Sequence, residues 1–211
     1  MQPTGSDVEA ARLLAADLGV ELEIVPSTGA NRIPFLQTGK ADLVMSSFSV
    51  TEARKKVIDF SIPYGIITVV CAGPPGVDVK SAKDLEGKTI AVTRGTGADA
   101  DATKLVKDDD KISIVRFDDD ATLITALASG QQDYMVSAPA QMGDINAKAP
   151  GKLEQKFVVR TNGYAVGLRK GDDALRDYVN GWIAKDLANG KLRDVYKKFQ
   201  HADLPAEMPK S

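Results

Sequence analysis

Apolar residues recur at helical spacing at Val8, Ala11, Leu14 and Leu18, and Gly19 ends the run, which predicts an amphipathic first helix. Ser6-Asp7-Val8-Glu9 has the form of a capping box at its start. Residues 21–25 read as a strand. A helix over 31–37 follows, tolerating Pro34 in its first turn, and then a strand over 42–45. A Ser-rich loop, a short helix near 52–56 and an extended stretch over 57–61 lead to a long β-branched strand, 66–72, that closes at Gly73-Pro74-Pro75-Gly76. Further on, strands are expected at 89–92, 113–117, 133–136, 155–159 and 163–168. Helices are expected at 98–107, 121–129, 139–147, 174–187 and 191–199, with a Pro-rich surface tail over 204–211. Trp182 shares its helical face with Leu175, Tyr178, Val179 and Ile183, so it reads as core packing.

This pattern occurs twice. Leu36-Gln37-Thr38-Gly39-Lys40-Ala41-Asp42-Leu43-Val44-Met45-Ser46 and Leu127-Ala128-Ser129-Gly130-Gln131-Gln132-Asp133-Tyr134-Met135-Val136-Ser137 share one layout, 91 residues apart: a helix end, a Gly cap, an Asp and a buried strand. The same offset superposes 22–25 on 113–116 and the first helix on 98–107. Two β-α-β-α-β lobes are therefore expected, residues 1–68 with 163–211 and residues 73–160, joined by crossings near 66–72 and 160–164. Such a clamshell suits hinge closure on a ligand. In the second copy a strand, Lys88-Thr89-Ile90-Ala91-Val92, precedes the helix, and the offset places its counterpart before Met1. The first lobe is thus expected to be truncated at its opening strand. The slot between 21–25 and 42–45 would be filled by exchange with a second chain, giving a strand-exchanged homodimer, or by direct closure of the two strands.

Composition narrows the function. Of 211 residues, 43% are apolar and 27% charged, an ordinary globular balance, and the net charge of −2 gives no footprint for nucleic acid or an anionic membrane. Small-molecule partners are favoured. One cysteine and one histidine supply neither an internal disulfide nor a Cys/His metal site, so no metal and no cofactor is expected. Cys71 reads as a small buried hydrophobe, and His201 as a solvated residue of the polar tail. No apolar run approaches a bilayer span, and Met1-Gln2-Pro3-Thr4-Gly5 is no signal peptide. Either a leader was removed or the chain starts within a longer precursor.

One constellation carries chemistry. After the strand at 42–45 come Ser46, Ser47 and Ser49, and then Arg54 on the short helix: hydroxyls plus a guanidinium, as recognition of a carboxylate requires. A Ser-rich loop with a helix cap and a solvated Arg accounts for the same residues equally well. At the matching place in the second copy, Thr93-Arg94-Gly95-Thr96-Gly97 joins a strand to a helix, and glycines there let backbone N–H groups approach an anion. Gly95, Thr96 and Gly97 thus form a second half of an anion clamp; the turn is too short for a dinucleotide fingerprint and lacks a P-loop lysine. Arg94 either pairs with a second carboxylate of an acidic ligand or is solvated, the latter being the plainer reading.

Asn31-Arg32-Ile33-Pro34-Phe35-Leu36-Gln37, Gly39-Lys40-Ala41-Asp42-Leu43-Val44, Ser47-Phe48-Ser49-Val50-Thr51-Glu52-Ala53-Arg54 and Asp59-Phe60-Ser61-Ile62-Pro63-Tyr64 together resemble the extracytoplasmic solute-binding proteins of polar amino-acid ABC importers. Leu85-Glu86-Gly87-Lys88-Thr89-Ile90-Ala91-Val92, Gly95-Thr96 and the Trp182 to Gly190 region extend the resemblance over nearly the whole chain. It implies an α/β, type II periplasmic-binding-protein fold, a periplasmic location, and closure that traps an amino acid or related small carboxylate for an ABC permease. By the same resemblance Arg54 pairs with the α-carboxylate, and Ser46, Ser47 and Ser49 add contacts. Two positions depart from the family pattern: Gly97 stands where a Thr is usual, and Ala138 where an Asp binds the α-ammonium. Leaving a desolvated ammonium unpaired costs roughly several kcal/mol, so the site is expected to be altered at the ammonium position. No catalytic residue is nominated. The alternatives are a sensory or non-binding derivative of the fold, or a cyclohexadienyl-dehydratase-like enzyme, which would need a general acid where Ala138 stands.

Overall fold

The computed structural model describes residues 3–107 and 111–209. Met1 and the last two residues of the tail lie outside them. The chain divides into two units. Unit one comprises residues 1–27, 31–67 and 162–211; unit two comprises residues 28–30 and 68–161.

In unit one, helix α1 (Ser6–Leu18) buries Ala10, Leu14 and Ala15. Gly19 closes it at φ 68°, a left-handed conformation that glycine adopts without Cβ strain. The expected capping box does not form. Gly5, at φ 138°, is the N-cap, its carbonyl accepting from Glu9 N–H at 3.0 Å, while Ser6 is already helical and accepts from the Gln200 side chain. Helix α2 (Arg32–Gln37), strand β1 (Leu43–Val44), helix α3 (Glu52–Lys55) and the first part of strand β2 (Asp59–Gly73) follow. The end of strand β6 (Glu154–Leu168), helix α7 (Asp173–Ala188) and helix α8 (Lys191–Gln200) complete the unit. β1 pairs antiparallel with β6, Leu43 opposite Leu168 and Val44 opposite Gly167. Around that pair, Ala10, Leu14, Tyr64, Tyr164, Trp182 and Ile183 form the larger core cluster. Trp182 is 2% exposed, as its helical face predicts.

Unit two holds strand β3 (Thr89–Thr93), helix α4 (Gly97–Leu105), strand β4 (Ser113–Phe117), helix α5 (Asp120–Ala128), strand β5 (Tyr134–Ser137) and helix α6 (Pro139–Lys148). β3 lies parallel between β4 and β5, and β5 pairs antiparallel with β2 on its other edge. Ile90, Ala91 and Val92 are fully buried, as expected of a central parallel strand covered on both faces. Cys71 is buried in this core, and burial pushes its thiol up to about 12, so it packs as a hydrophobe and not as a nucleophile. The strand order is β1-β6-β2-β5-β3-β4, because β2 and β6 each run through both units.

Two expectations are corrected. Residues 59–61 of the expected segment 57–61 and the segment 66–72 belong to the single strand β2, with 57–58 in the turn before it, and 155–159 and 163–168 belong to the single strand β6, because Pro63 and Gly163 are accommodated without a break. Residues 21–25 form no strand. None of the described backbone hydrogen bonds involves residues 21–27, and β1 pairs with β6 and not with them, so direct closure of the two strands does not occur. A β-strand exists only through a ladder partner, and among the described residues this segment has none.

Candidate functional site

One group of the predicted site residues lies in unit one, in the turn beyond β1. Thr51 caps α3, its hydroxyl accepting from Arg54 N–H at 3.3 Å, and this fixes the helix that carries Arg54. Arg54 is 9% exposed. Its Nη1 donates to the Ser49 carbonyl at 2.7 Å, and its guanidinium lies 4.5 Å from the centroid of the Phe48 ring. Phe48 is itself fully buried, tilted against Phe60 at 5.3 Å, and also faces Arg32 at 5.8 Å. Arg54 is therefore not the solvated arginine of the plainer reading. Its guanidinium is held on the Ser49 carbonyl and over the Phe48 face.

The serines diverge. Ser49 is buried at 3% exposure and bridges to Tyr164. Ser47 takes φ 48°, uncommon outside glycine, and its hydroxyl turns to Asp7 at 3.0 Å. Among the described residues, the buried Ser46 Oγ has no hydrogen-bond partner; it lies on a cavity of about 410 Å³ that Thr4, Ser6, Asp7, Met45 and Phe199 also line. Asp7 and Tyr64, which hold Ser47 in place, are not singled out by sequence reading. The Tyr64 hydroxyl donates to Asp7 at 2.6 Å, and burial raises the Asp7 carboxyl above the usual range, offset in part by the bonds from Tyr64 and Ser47 and by the Arg32 charge. Asp7 occupies the predicted capping sequence, so its packing role was masked by a local one.

The other group of predicted residues lies in unit two, where β3, β4 and β5 run parallel and bring the turns beyond their carboxyl ends to one edge. Gly95, at φ 73°, sits against the loop 28–30; a Cβ there would lie 2.9 Å from the Ala30 backbone. Its N–H donates to Asp99 at 3.0 Å, and Asp99 is held in turn by Arg116 at 2.8 Å, so a carboxylate of the chain itself engages that amide. Thr96 caps α4, its hydroxyl accepting from Asp99 N–H and donating to the Thr93 carbonyl. Gly97 is the first residue of α4. Ala138 is the N-cap of α6 with Pro139 at its first position, so this helix start has no side-chain cap. Nearby, the Asp120 carboxylate accepts from Thr93 Oγ1 at 2.6 Å and from Gln141 Nε2 at 3.2 Å. Arg94 is half exposed and pairs with Asp118 at 3.2 Å. His201 is exposed and caps the end of α8. Gly95, Thr96, Gly97 and Ala138 thus share one edge of unit two, while Ser46, Ser47, Ser49 and Arg54 share one turn of unit one.

Comparison with known proteins gives this geometry a context. The family model for bacterial extracellular solute-binding proteins, family 3, matches residues 1–202. The L-cystine-binding protein TcyJ of Escherichia coli (strain K12) is 32% identical over 207 residues, covering 95% of this chain and 76% of that protein. Among solved structures, the P235GK mutant of ArgBP from T. maritima superposes with a TM-score of 0.85 at 34% identity, covering 94% of this chain and 86% of that one. The ancestral amino acid-binding protein AncCDT-1, a precursor of cyclohexadienyl dehydratase, superposes with a TM-score of 0.83 at 32% identity, covering 94% and 86%.

Proposed function

The chain belongs to the bacterial extracellular solute-binding proteins of family 3 and has their type II periplasmic-binding-protein fold, and from that premise we propose that it captures an amino acid or related small carboxylate for an ABC importer. The observation that carries the reading is Arg54, a guanidinium 9% exposed, anchored on the Ser49 carbonyl and the Phe48 face just beyond β1. In this reading Arg54 takes the ligand carboxylate through two parallel N–H···O bonds. Ser46 and Ser49 add polar contacts, Ser47 is held off by Asp7, and Thr96 and Gly97 present the positive end of α4. The solute would be handed to a membrane permease from the periplasmic side. That relatives are named for cystine and that ArgBP superposes so well supports an amino-acid ligand class.

Ala138 sets the specificity. Without a carboxylate at that N-cap, an α-ammonium gains less, and acids lacking the amino group are favoured relative to what an Asp there would select. The reading requires no chemistry on the solute, which is bound and released unchanged.

Thermal unfolding with each of the twenty amino acids, and with the matching acids lacking the amino group, tests this. A ligand at about 100 times its dissociation constant adds roughly 2.7 kcal/mol of stability. The expected result is a shift with one chemical class that disappears in Arg54→Ala. A cooperatively folded chain that shifts with none of them would instead support the non-binding derivative. A shift that Arg54→Ala leaves intact would remove the carboxylate assignment.

A further inference from the structure

We propose that Asp120 receives the ammonium group of the solute, in place of the carboxylate absent from residue 138, a role that rests on the reading of the chain as an amino-acid receptor. Asp120 opens α5, the helix that follows β4, yet its side chain bonds to neither α5 nor β4. Its Oδ1 accepts from Thr93 Oγ1 at 2.6 Å, at the end of β3, and its Oδ2 accepts from Gln141 Nε2 at 3.2 Å, in the first turn of α6 beyond β5. Because β3 lies between β4 and β5, the carboxylate reaches across the middle of the edge formed by the carboxyl ends of the three strands. Both groups of residues on that edge are tied to it. Thr93 joins it to the turn of Gly95, Thr96 and Gly97, since the Thr93 carbonyl accepts from the Thr96 hydroxyl at 2.7 Å. Gln141 joins it to Ala138, since the Gln141 backbone N–H donates to the Ala138 carbonyl at 3.2 Å.

This cluster has acceptors to spare. A carboxylate offers about four lone-pair sites, and among the described residues only Thr93 and Gln141 donate to Asp120. Gln141 Oε1, on the same amide that donates to Asp120, is buried and has no hydrogen-bond partner among the described residues. Charge is unbalanced in the same sense. Elsewhere in unit two Asp99 pairs with Arg116, Asp101 with Arg160, Asp118 with Arg94 and Asp133 with Lys152, whereas among the described residues no lysine or arginine forms an ion pair with Asp120. The helix does not need this carboxylate as a cap either. Asp119 is the N-cap of α5 and accepts from Thr122 N–H at 2.8 Å, which leaves Asp120 exposed, oriented by two neutral donors and open to a cation. An ammonium, with three N–H donors and a full charge, is the ligand group that meets both deficits. With alanine at 138, the acid that an amino solute requires comes from the start of α5 and not from the start of α6.

The test compares the native chain with Asp120→Asn by thermal shift and calorimetric titration, using each of the twenty amino acids and, for each, the matching acid that lacks the amino group. Asparagine keeps an acceptor for Thr93 Oγ1 and removes the charge, so unfolding without added solute is expected to stay where it is in the native chain. The amino acid that binds the native chain best should bind Asp120→Asn at least about tenfold more weakly, while its deaminated analogue binds the two proteins within about twofold of each other. Gln141→Met, which removes the donor that orients the carboxylate, should lower the same selectivity without touching the charge. An equal loss for both members of the pair, in either variant, would make the role structural and overturn the assignment. So would an amino acid that binds Asp120→Asn as well as it binds the native chain. A native chain that takes only the deaminated acids would also overturn it, while capture of small carboxylates at Arg54 would stand. A native chain that takes none of these compounds would remove the proposed function itself and this inference with it, so the two failures are distinct.

Discussion

The Tyr64 hydroxyl donates to the Asp7 carboxylate across 2.6 Å, tying the first turn of α1 to β2, and the same carboxylate accepts from Ser47 beyond β1. Three segments of unit one thus converge on one half-buried acid. Burial raises the Asp7 pKa, so the folded chain holds the proton more tightly than the unfolded chain does. The group therefore favours the folded state most at acid pH, and that contribution is lost as pH rises from about 4, the ordinary Asp value, through the raised one. Asp7→Asn, which keeps the shape and does not titrate, should gain stability relative to the native chain across that window and run parallel to it above. Urea unfolding of both proteins from pH 4 to pH 8 checks the sign.

Ala138→Asp should do two things. An Asp at the N-cap of α6 supplies the missing acceptor for the first-turn amides and should stabilise the chain by about 0.5–2 kcal/mol. It should also raise affinity for α-amino acids over their deaminated analogues. Thermal unfolding and calorimetric titration separate the two effects, and a gain in stability with no change in selectivity would place residue 138 away from the bound ammonium.

Gly167→Ala should damage the proposed Arg54 carboxylate receptor from behind. A Cβ at 167 would lie 2.8 Å from Phe48 Cδ1 and 2.9 Å from Cε1, and the ring is fully buried, so it has no free direction to move. Overpacking of this kind costs about 1–3 kcal/mol. Because Arg54 rests on that ring at 4.5 Å, ligand-induced stabilisation should fall along with basal stability.

Lys156→Met probes unit two alone. The Lys156 side chain is 3% exposed, and its ammonium donates to the Pro74 and Val77 carbonyls at 2.6 Å and to Glu154 at 2.7 Å. Removing the donor leaves those carbonyls unmatched, at about 1–3 kcal/mol. The midpoint of urea unfolding should drop while its slope stays constant.

Sequence alone determined the elements whose cause is local. Helical spacing and Gly19 define α1, the β-branched runs define β2 and β3, and the repeat gives the parallel arrangement of β3, β4 and β5 before any coordinate is known. It also picked out the turn carrying Ser46, Ser47, Ser49 and Arg54, since hydroxyls and an arginine after a buried strand are a chemical pattern along the chain. Tertiary structure decided what depends on a partner far away. Residues 21–25 have strand composition but no ladder among the described residues, because a strand is a property of a pair and not of a segment. Ser6 looked like a cap until Gly5, free to take φ 138°, assumed that place. Whether Arg54 is solvated or anchored was undecidable from composition, because the answer is the position of the Ser49 carbonyl and the Phe48 ring. Asp7 was invisible as a keystone for the same reason: its partners, Ser47 and Tyr64, are 40 and 57 residues away, and only folding brings their hydroxyls to one carboxylate.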